Sequence, residues 1–388
     1  MLYLDYAATT PPYDEVVLAV TEVMKLHYGN PSSLHRIGIQ AERLLIKSKE
    51  SIAKAMGAKP DEIVITSGGT ESNNLAIKGA ALFYRNRGKH LITTQIEHAS
   101  VSEAFSQLED MGFRVTYLPV DETGQVRIKD LEAALRDDTI LVSVMMVNNE
   151  IGRIQPIFEI GRLLSAFPRI IFHVDAVQGA GKLPFSPEQM GIDLFSASAH
   201  KFRGPKGTGF LYRREGVQLQ PQLVGGGQEY GLRSGTENVP LIVGMAKAIR
   251  LATERLAQDI EQKRRFRRLV SEGLASIPGL FLTGSNNEAE MAPHIVHVTI
   301  PGVRPEVVVH ALEQHEIYIS TRSACASGED SPSKVLLAMG YDRRRASSGL
   351  RISFSSEHTE EDAARLIKKM TEVVGQLTPS VTGKGRIR

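Results

Sequence analysis

The chain has 388 residues, 42% hydrophobic and 23% charged, a globular balance that excludes disordered, collagen-like and disulfide-scaffold classes. Lys and Arg number 46 against 44 Asp and Glu, a net charge of +2, too even for a protein that works on phosphate backbones; no direct nucleic-acid partner is expected. One cysteine excludes an internal disulfide and a multi-cysteine metal cage, no run approaches the ~18 apolar residues of a membrane span, and the first residues lack a signal pattern, so a cytoplasmic protein is expected.

In chain order, short β-branched or apolar runs at 62–66, 90–94, 114–118, 139–147, 170–174, 193–196 and 209–212 predict strands. Residues 72–84, 101–111 and 157–166 carry helical spacing between several of them. That alternation predicts an α/β fold with a mainly parallel seven-stranded sheet and helices on both faces. The run 139–147 is nearly all apolar, as a central strand buried on both sides should be. From Val239 to about residue 277 the pattern predicts one long helical stretch. It carries a basic patch, Lys263, Arg264, Arg265, Arg267 and Arg268, read as a solvated helix face because Asp259 and Glu261 adjoin it. Strands at 280–283, 294–300, 317–321 and 350–354, with helices at 305–316, 332–339 and 360–374, predict a smaller α+β unit. The expected division is 12–250 for the large domain and 1–11 with 251–388 for the small one, with 378–388 frayed.

Open α/β sheets bind ligands beyond the carboxyl ends of their strands, so polar residues there are the candidates. Thr66 to Glu71 follows a strand and opens a helix; Gly69 and Thr70 could hold a phosphate, although Ser and Thr also cap helices. Asp175, at the end of another strand and shortly before Gln178, is costly to bury without a cation or donors, and a structural Asp fits equally. The fragment Gly179 to Lys182 imitates part of a P-loop but lacks its leading glycine and its following Ser or Thr, and is set aside. Ser198, His200 and Lys201 follow a third strand into a Gly/Pro-rich turn, where a lysine is either a Schiff-base former or a surface residue. Cys325 lies past a fourth strand among small residues, a setting for a thiol nucleophile or for an inert thiol. His294 and His297 are three apart on a strand and cannot share a metal, and none is expected.

Together these motifs resemble the cysteine desulfurases of the class V, fold-type I pyridoxal-phosphate (PLP) enzymes. The resemblance runs almost end to end, from Leu4–Thr10 and Tyr28–Ser33 through Thr66–Glu71, Glu97 and His98, Val147–Gly152, His173–Gln178, Ser198–Lys201, Arg233–Thr236 and Ser323–Cys325 to Gly349–Ser353. It implies that Lys201 carries the PLP as a Schiff base and removes the substrate Cα proton. Asp175 would pair with the pyridine nitrogen and His98 would lie on the ring face. Asn149 and Gln178 would contact the ring oxygen and nearby substrate atoms. Gly69, Thr70, Ser198 and His200 would hold the phosphate, with Thr236 reaching it from the partner of a homodimer. Arg351 would grip the carboxylate of L-cysteine, and Cys325 would take its sulfur as a persulfide, leaving alanine. The implied recipients are a sulfur-acceptor protein of iron–sulfur cluster assembly or a tRNA-thiolation enzyme. The stretch from Ala326 resembles the longer-loop group I enzymes, and Arg322 departs from the small residue of many relatives. The alternatives are a selenocysteine lyase or another class V aminotransferase.

Overall fold

The computed structural model describes residues 1–321 and 331–377. Cys325, Arg322 and the expected frayed end at 378–388 lie outside the described residues. The chain opens with a short strand, β1 (Leu2–Tyr3), and two helices not expected from the pattern, α1 (Asp14–Leu26) and α2 (Arg36–Met56). α2 stops where Gly57 takes φ 66°, the left-handed cap that glycine adopts without strain.

Then come β2 (Ile63–Thr66), α3 (Gly69–Tyr84), β3 (His90–Thr94), α4 (Ala99–Asp110) and β4 (Arg114–Leu118). They are followed by α5 (Ile128–Ala134), β5 (Thr139–Met145), α6 (Ile157–Leu164), β6 (Ile171–Asp175), β7 (Leu194–Ser198) and β8 (Gly209–Arg213). The strands form one seven-stranded sheet in the order β2-β8-β7-β6-β5-β3-β4. All neighbours are parallel except β8, which runs antiparallel to both β2 and β7. Every residue of β5, β6 and β7 is buried, as apolar strands covered on both faces by crossover helices must be.

The remainder is α7 (Val239–Glu254), α8 (Leu256–Ala275), β9 (Phe281–Leu282), β10 (Ile295–Thr299), α9 (Pro305–Glu313) and β11 (Ile317–Tyr318). After it come α10 (Lys334–Ala338), α11 (Arg343–Ala346), β12 (Gly349–Ser353) and α12 (Glu360–Leu377). β12, β10 and β9 form an antiparallel sheet, and β1 pairs in parallel with β11, Leu2 opposite Ile317. Leu2 and Leu4 therefore share a core with Phe266, Val298, Ile352 and Leu366, apart from the core beneath the large sheet. Ala292, Ile295, Val335, Leu336 and Ala346, late in the chain, pack into the larger core instead.

Two expectations need correction. The helical stretch after Val239 breaks at Arg255, which leaves the helix to pair with Glu15 at 3.3 Å and to stack over the Tyr13 ring. The basic patch is not uniformly solvated: Lys263 is 7% exposed and paired with Asp259, and Arg267 donates to the Ile295 carbonyl.

Candidate active site

The carboxyl ends of β2, β5, β6 and β7, with the segment after β3, open into one cavity of about 550 Å³. It is lined by Gly69, Thr70, His98, Asn149, Asp175, Gln178, Ser198, His200, Lys201 and Arg351, the predicted residues of several distant motifs. Thr236 does not join them; it is exposed in the segment leading to α7.

One wall is built at the start of α3. Gly68 holds φ 153° and ψ −173°, a region only glycine occupies comfortably, and its missing side chain leaves the helix uncapped. The first-turn N–H groups of α3 are then available to an anion. The close approach is real: a Cβ on Gly209 would fall 2.7 Å from the Gly68 Cα, and one on Gly69 2.7 Å from Val177. Glu71 accepts the Ser67 N–H at 2.7 Å and pairs with Arg233, which fixes the turn from behind.

The floor is Asp175, the last residue of β6 and 6% exposed. Its oxygens accept the Val177 N–H at 3.0 Å and the Asn73 amide at 2.9 Å, but among the described residues it has no ion pair. A carboxylate this buried calls for a cation or a donor from the cavity side. The Asn73 amide also donates to the Ser100 hydroxyl at 2.9 Å, and that hydroxyl lies 2.9 Å from His98 Nδ1. The same Nδ1 accepts the Ser100 N–H at 3.1 Å, so the His98 proton sits on Nε2. Burial, reinforced by Lys201 and opposed by Asp175, holds the His98 pKa below the usual value and the ring neutral.

Lys201 follows β7 at the end of a short 3₁₀ turn, and its Nζ donates to the carbonyls of Ala7 and Ala8 at 2.8 and 2.7 Å. His200 holds Thr9 at 3.1 Å through Nδ1, and burial with the nearby lysines lowers its pKa to about 4. Gln178 donates to the Ala7 carbonyl at 2.9 Å, so Gln178 and Lys201 meet at the same carbonyl oxygen.

The opposite wall is Arg351, on β12 and 1% exposed. It donates to the Asn149 carbonyl at 2.8 Å and to Asp5 at 2.9 Å, while its buried Nε has no partner among the described residues. Residues flanking the undescribed stretch are tied to this wall. Ser320 exchanges backbone hydrogen bonds with Arg351, and the Ser333 hydroxyl donates to Glu150 at 2.6 Å.

Sequence reasoning missed Asn73, Ser100 and the Ala7 and Ala8 carbonyls, none of which belongs to a residue type that advertises chemistry. It also set aside Lys182, which is 6% exposed and packed behind Gln178.

A model of the family "Aminotransferase class-V" matches residues 2–366. The chain is 46% identical to a "NifS/IcsS protein homolog" of Lactobacillus delbrueckii subsp. bulgaricus, over 96% of this chain and 97% of that one. It is 44% identical to "Cysteine desulfurase IscS" of Methanosarcina thermophila, over 97% and 92%. Among solved structures it is similar to a "NIFS-LIKE PROTEIN", with a TM-score of 0.91, 40% identity and coverage of 97% and 100%. It is also similar to "SspA in complex with cysteine", with a TM-score of 0.80, 36% identity and coverage of 92% and 100%.

Proposed function

The chain belongs to the class-V aminotransferase family and is a PLP-dependent cysteine desulfurase, and from that premise we propose how its residues share the work. The cavity fits PLP at each end: a glycine cradle with free helix N–H groups suits the phosphate, and the unpaired Asp175 carboxylate suits a protonated ring nitrogen. When bound, PLP supplies a conjugated ring that accepts the electron pair left as a proton departs the substrate Cα.

Lys201 is the residue that attaches the cofactor and carries the Cα proton; the Ala7 and Ala8 carbonyls hold its Nζ in place. Asn73 and the Val177 N–H keep Asp175 aimed toward the ring. His98 is a neutral ring that covers the cofactor with its Nε2 proton free of Ser100. Ser198 and His200, with Gly69 and Thr70, close around the phosphate. Arg351 lines the cavity and spends two of its five N–H donors on Asn149 and Asp5, leaving three unspent among the described residues, which suits a substrate carboxylate approaching a planar fork.

Cys325 is the sulfur acceptor. Its thiolate attacks the substrate sulfur, a new S–S bond forms, the substrate C–S bond breaks, and the carbon left behind is protonated to alanine; one thiol and one cysteine become one persulfide and one alanine. The ties of Ser320 and Ser333 to the Arg351 wall support this assignment. We assign the chain a homodimer in which Thr236 reaches the second copy's phosphate cradle. Its exposure, and the exposed apolar residues Leu18, Met24, Leu26, Tyr28 and Leu34, support that arrangement. The persulfide then passes to an acceptor protein of iron–sulfur assembly or tRNA thiolation in the cytoplasm. The separate core of Leu2, Leu4, Phe266, Val298, Ile352 and Leu366 supports a division into 12–250 and 1–11 with 251–388, while Ala7, Ile295, Leu336 and Ala346 pack across that boundary into the larger core.

The observation that carries the reading is the convergence of Lys201, Asp175 and the Gly68–Gly69 cradle on one cavity. Mass spectrometry after L-cysteine should find one added sulfur on Cys325. Cys325→Ala should retain the cofactor's colour and lose alanine formation; unchanged alanine formation would overturn the assignment.

A further inference from the structure

Lys182 is buried behind the cofactor cavity, 6% exposed, with no carboxylate paired to it among the described residues. Its Nζ is 2.8 Å from the Gln178 side-chain oxygen and 3.5 Å from His294 Nε2. His294 is itself 2% exposed. Lys182 and His294 line a second, smaller cavity of about 210 Å³ that shares Lys201 with the first. A lysine held in such a place, with only a glutamine oxygen and an imidazole for company, needs a reason beyond solubility.

The reason lies in the amide. As an ammonium Lys182 Nζ only donates, and the group it meets at 2.8 Å is the Gln178 oxygen. The Ala7 carbonyl accepts only, so the group facing it, at 2.9 Å, must be the Gln178 nitrogen. A flipped amide would set N–H against N–H at one end and oxygen against oxygen at the other. One of the two amide protons goes to Ala7, and the second remains for the cavity that Gln178 lines. We propose that Lys182 is a positioning residue that fixes the Gln178 amide so that an N–H, not the carbonyl oxygen, is offered to the oxygen of the bound pyridoxal ring. Burial, with the cations Lys201, Lys263 and Arg351 nearby, lowers the Lys182 pKa well below that of a surface lysine. Burial, with Lys182, Lys263 and Arg351, likewise lowers that of His294. These shifts reduce the cationic load behind the cofactor without removing the donor.

The inference rests on the cavity holding PLP, and the test separates the two. The pH midpoint of the absorption band of bound PLP is measured on the holoenzyme for the wild type, Lys182→Met, Gln178→Ala and the double variant. A donor to the ring oxygen favours its deprotonated form, so Lys182→Met should raise the midpoint by about one pH unit, a tenfold change in proton affinity and the size of one charge-assisted hydrogen bond. Gln178→Ala should do the same, and the double variant should shift no further than Gln178→Ala alone. An unshifted Lys182→Met, or shifts that add in the double variant, would overturn the proposal. Lys182→Gln runs through the same cycle in case Lys182→Met does not fold, and the same non-additivity is required of it. A wild-type chain that binds no PLP at all would instead remove the functional reading.

Discussion

Asp175 and Arg351 line one cavity, and both are buried, yet the surroundings of each differ. Asp175 stands at the end of a strand inside the seven-stranded sheet, where Asn73, Ser100 and His98 form a continuous hydrogen-bonded line leading from it along the cavity. Arg351 comes from the three-stranded sheet of the other core and is held by Asp5, Asn149 and its exchange with Ser320, with Nε unspent. The Asp175 wall is organised around a resident group, and the Arg351 wall keeps a donor for a visitor. A permanent partner favours a fully preorganised line, because reorganisation on each turnover would cost rate. A transient anion favours a guanidinium with N–H groups left over from its structural hydrogen bonds.

Asp175→Asn should break the resident side and have the largest effect. The uncharged amide cannot hold the ring nitrogen protonated, so kcat for alanine formation should fall by about 10²–10³. The PLP absorption band should move at the same time. A fall confined to KM would mean that Asp175 belongs with the visitor's wall and would dissolve the contrast.

Arg351→Lys should break only the visitor's side. The ammonium keeps the charge but loses the planar fork, so KM for L-cysteine should rise about ten- to a hundredfold with kcat less affected. Initial rates across cysteine concentrations separate the two constants. Loss of bound PLP in this variant would show that the second wall also holds the resident group.

The contrast between the walls also marks what a sequence discloses. Strand β3 lies where its apolar run predicts it, because a buried strand leaves a dense, short signature, while the half-exposed edge strand β4 is marked by its β-branched and aromatic residues. Helix α2 does not announce itself, because its buried stripe uses Gly38, Ala41, Ser48 and Lys49 while Ile37, Ile39 and Ile46 face outward. Strand-end position marks Asp175 and Lys201 as candidates, but their roles come from resemblance to a family, not from spacing. Arg351 carries no local mark, since it reads as one arginine in an apolar strand. Lys182 misleads, because a lysine after a glycine-rich turn suggests solvent or phosphate, and only the packing of Gln178 and His294 against it reveals a buried partner.

The smallest effect is expected at His297 on β10, which does not line the cavity although it is paired in register with Arg351. Its Nδ1 lies 2.7 Å from the Thr283 hydroxyl, and Gly349, two residues before Arg351 on β12, leaves room for the ring, since a Cβ there would fall 2.8 Å from Nε2. Burial, with Arg351 and Arg345 nearby, pushes its pKa down to about 3. The unfolded chain binds this proton near pH 6.5 and the folded chain only near pH 3. The stability held by the neutral ring is therefore complete above pH 6.5 and is lost as the pH falls through that window, at about 1.4 kcal/mol per pH unit. His90, His173 and His200, around the larger sheet, are lowered to about 4, 3 and 4 and add to the acid limb with the same sign. His297→Asn should leave desulfuration at neutral pH little altered and flatten the fall of stability between pH 6 and 4 by about one proton, read from urea unfolding at a series of pH values. The same substitution at a histidine of the large-sheet wall, such as His200, should flatten the limb equally but also disturb PLP retention, because His200 lines the cavity beside the phosphate cradle. An unchanged slope in His297→Asn would mean that the folded chain takes up that proton as readily as the unfolded one, and that the second core tolerates the charge which the first excludes.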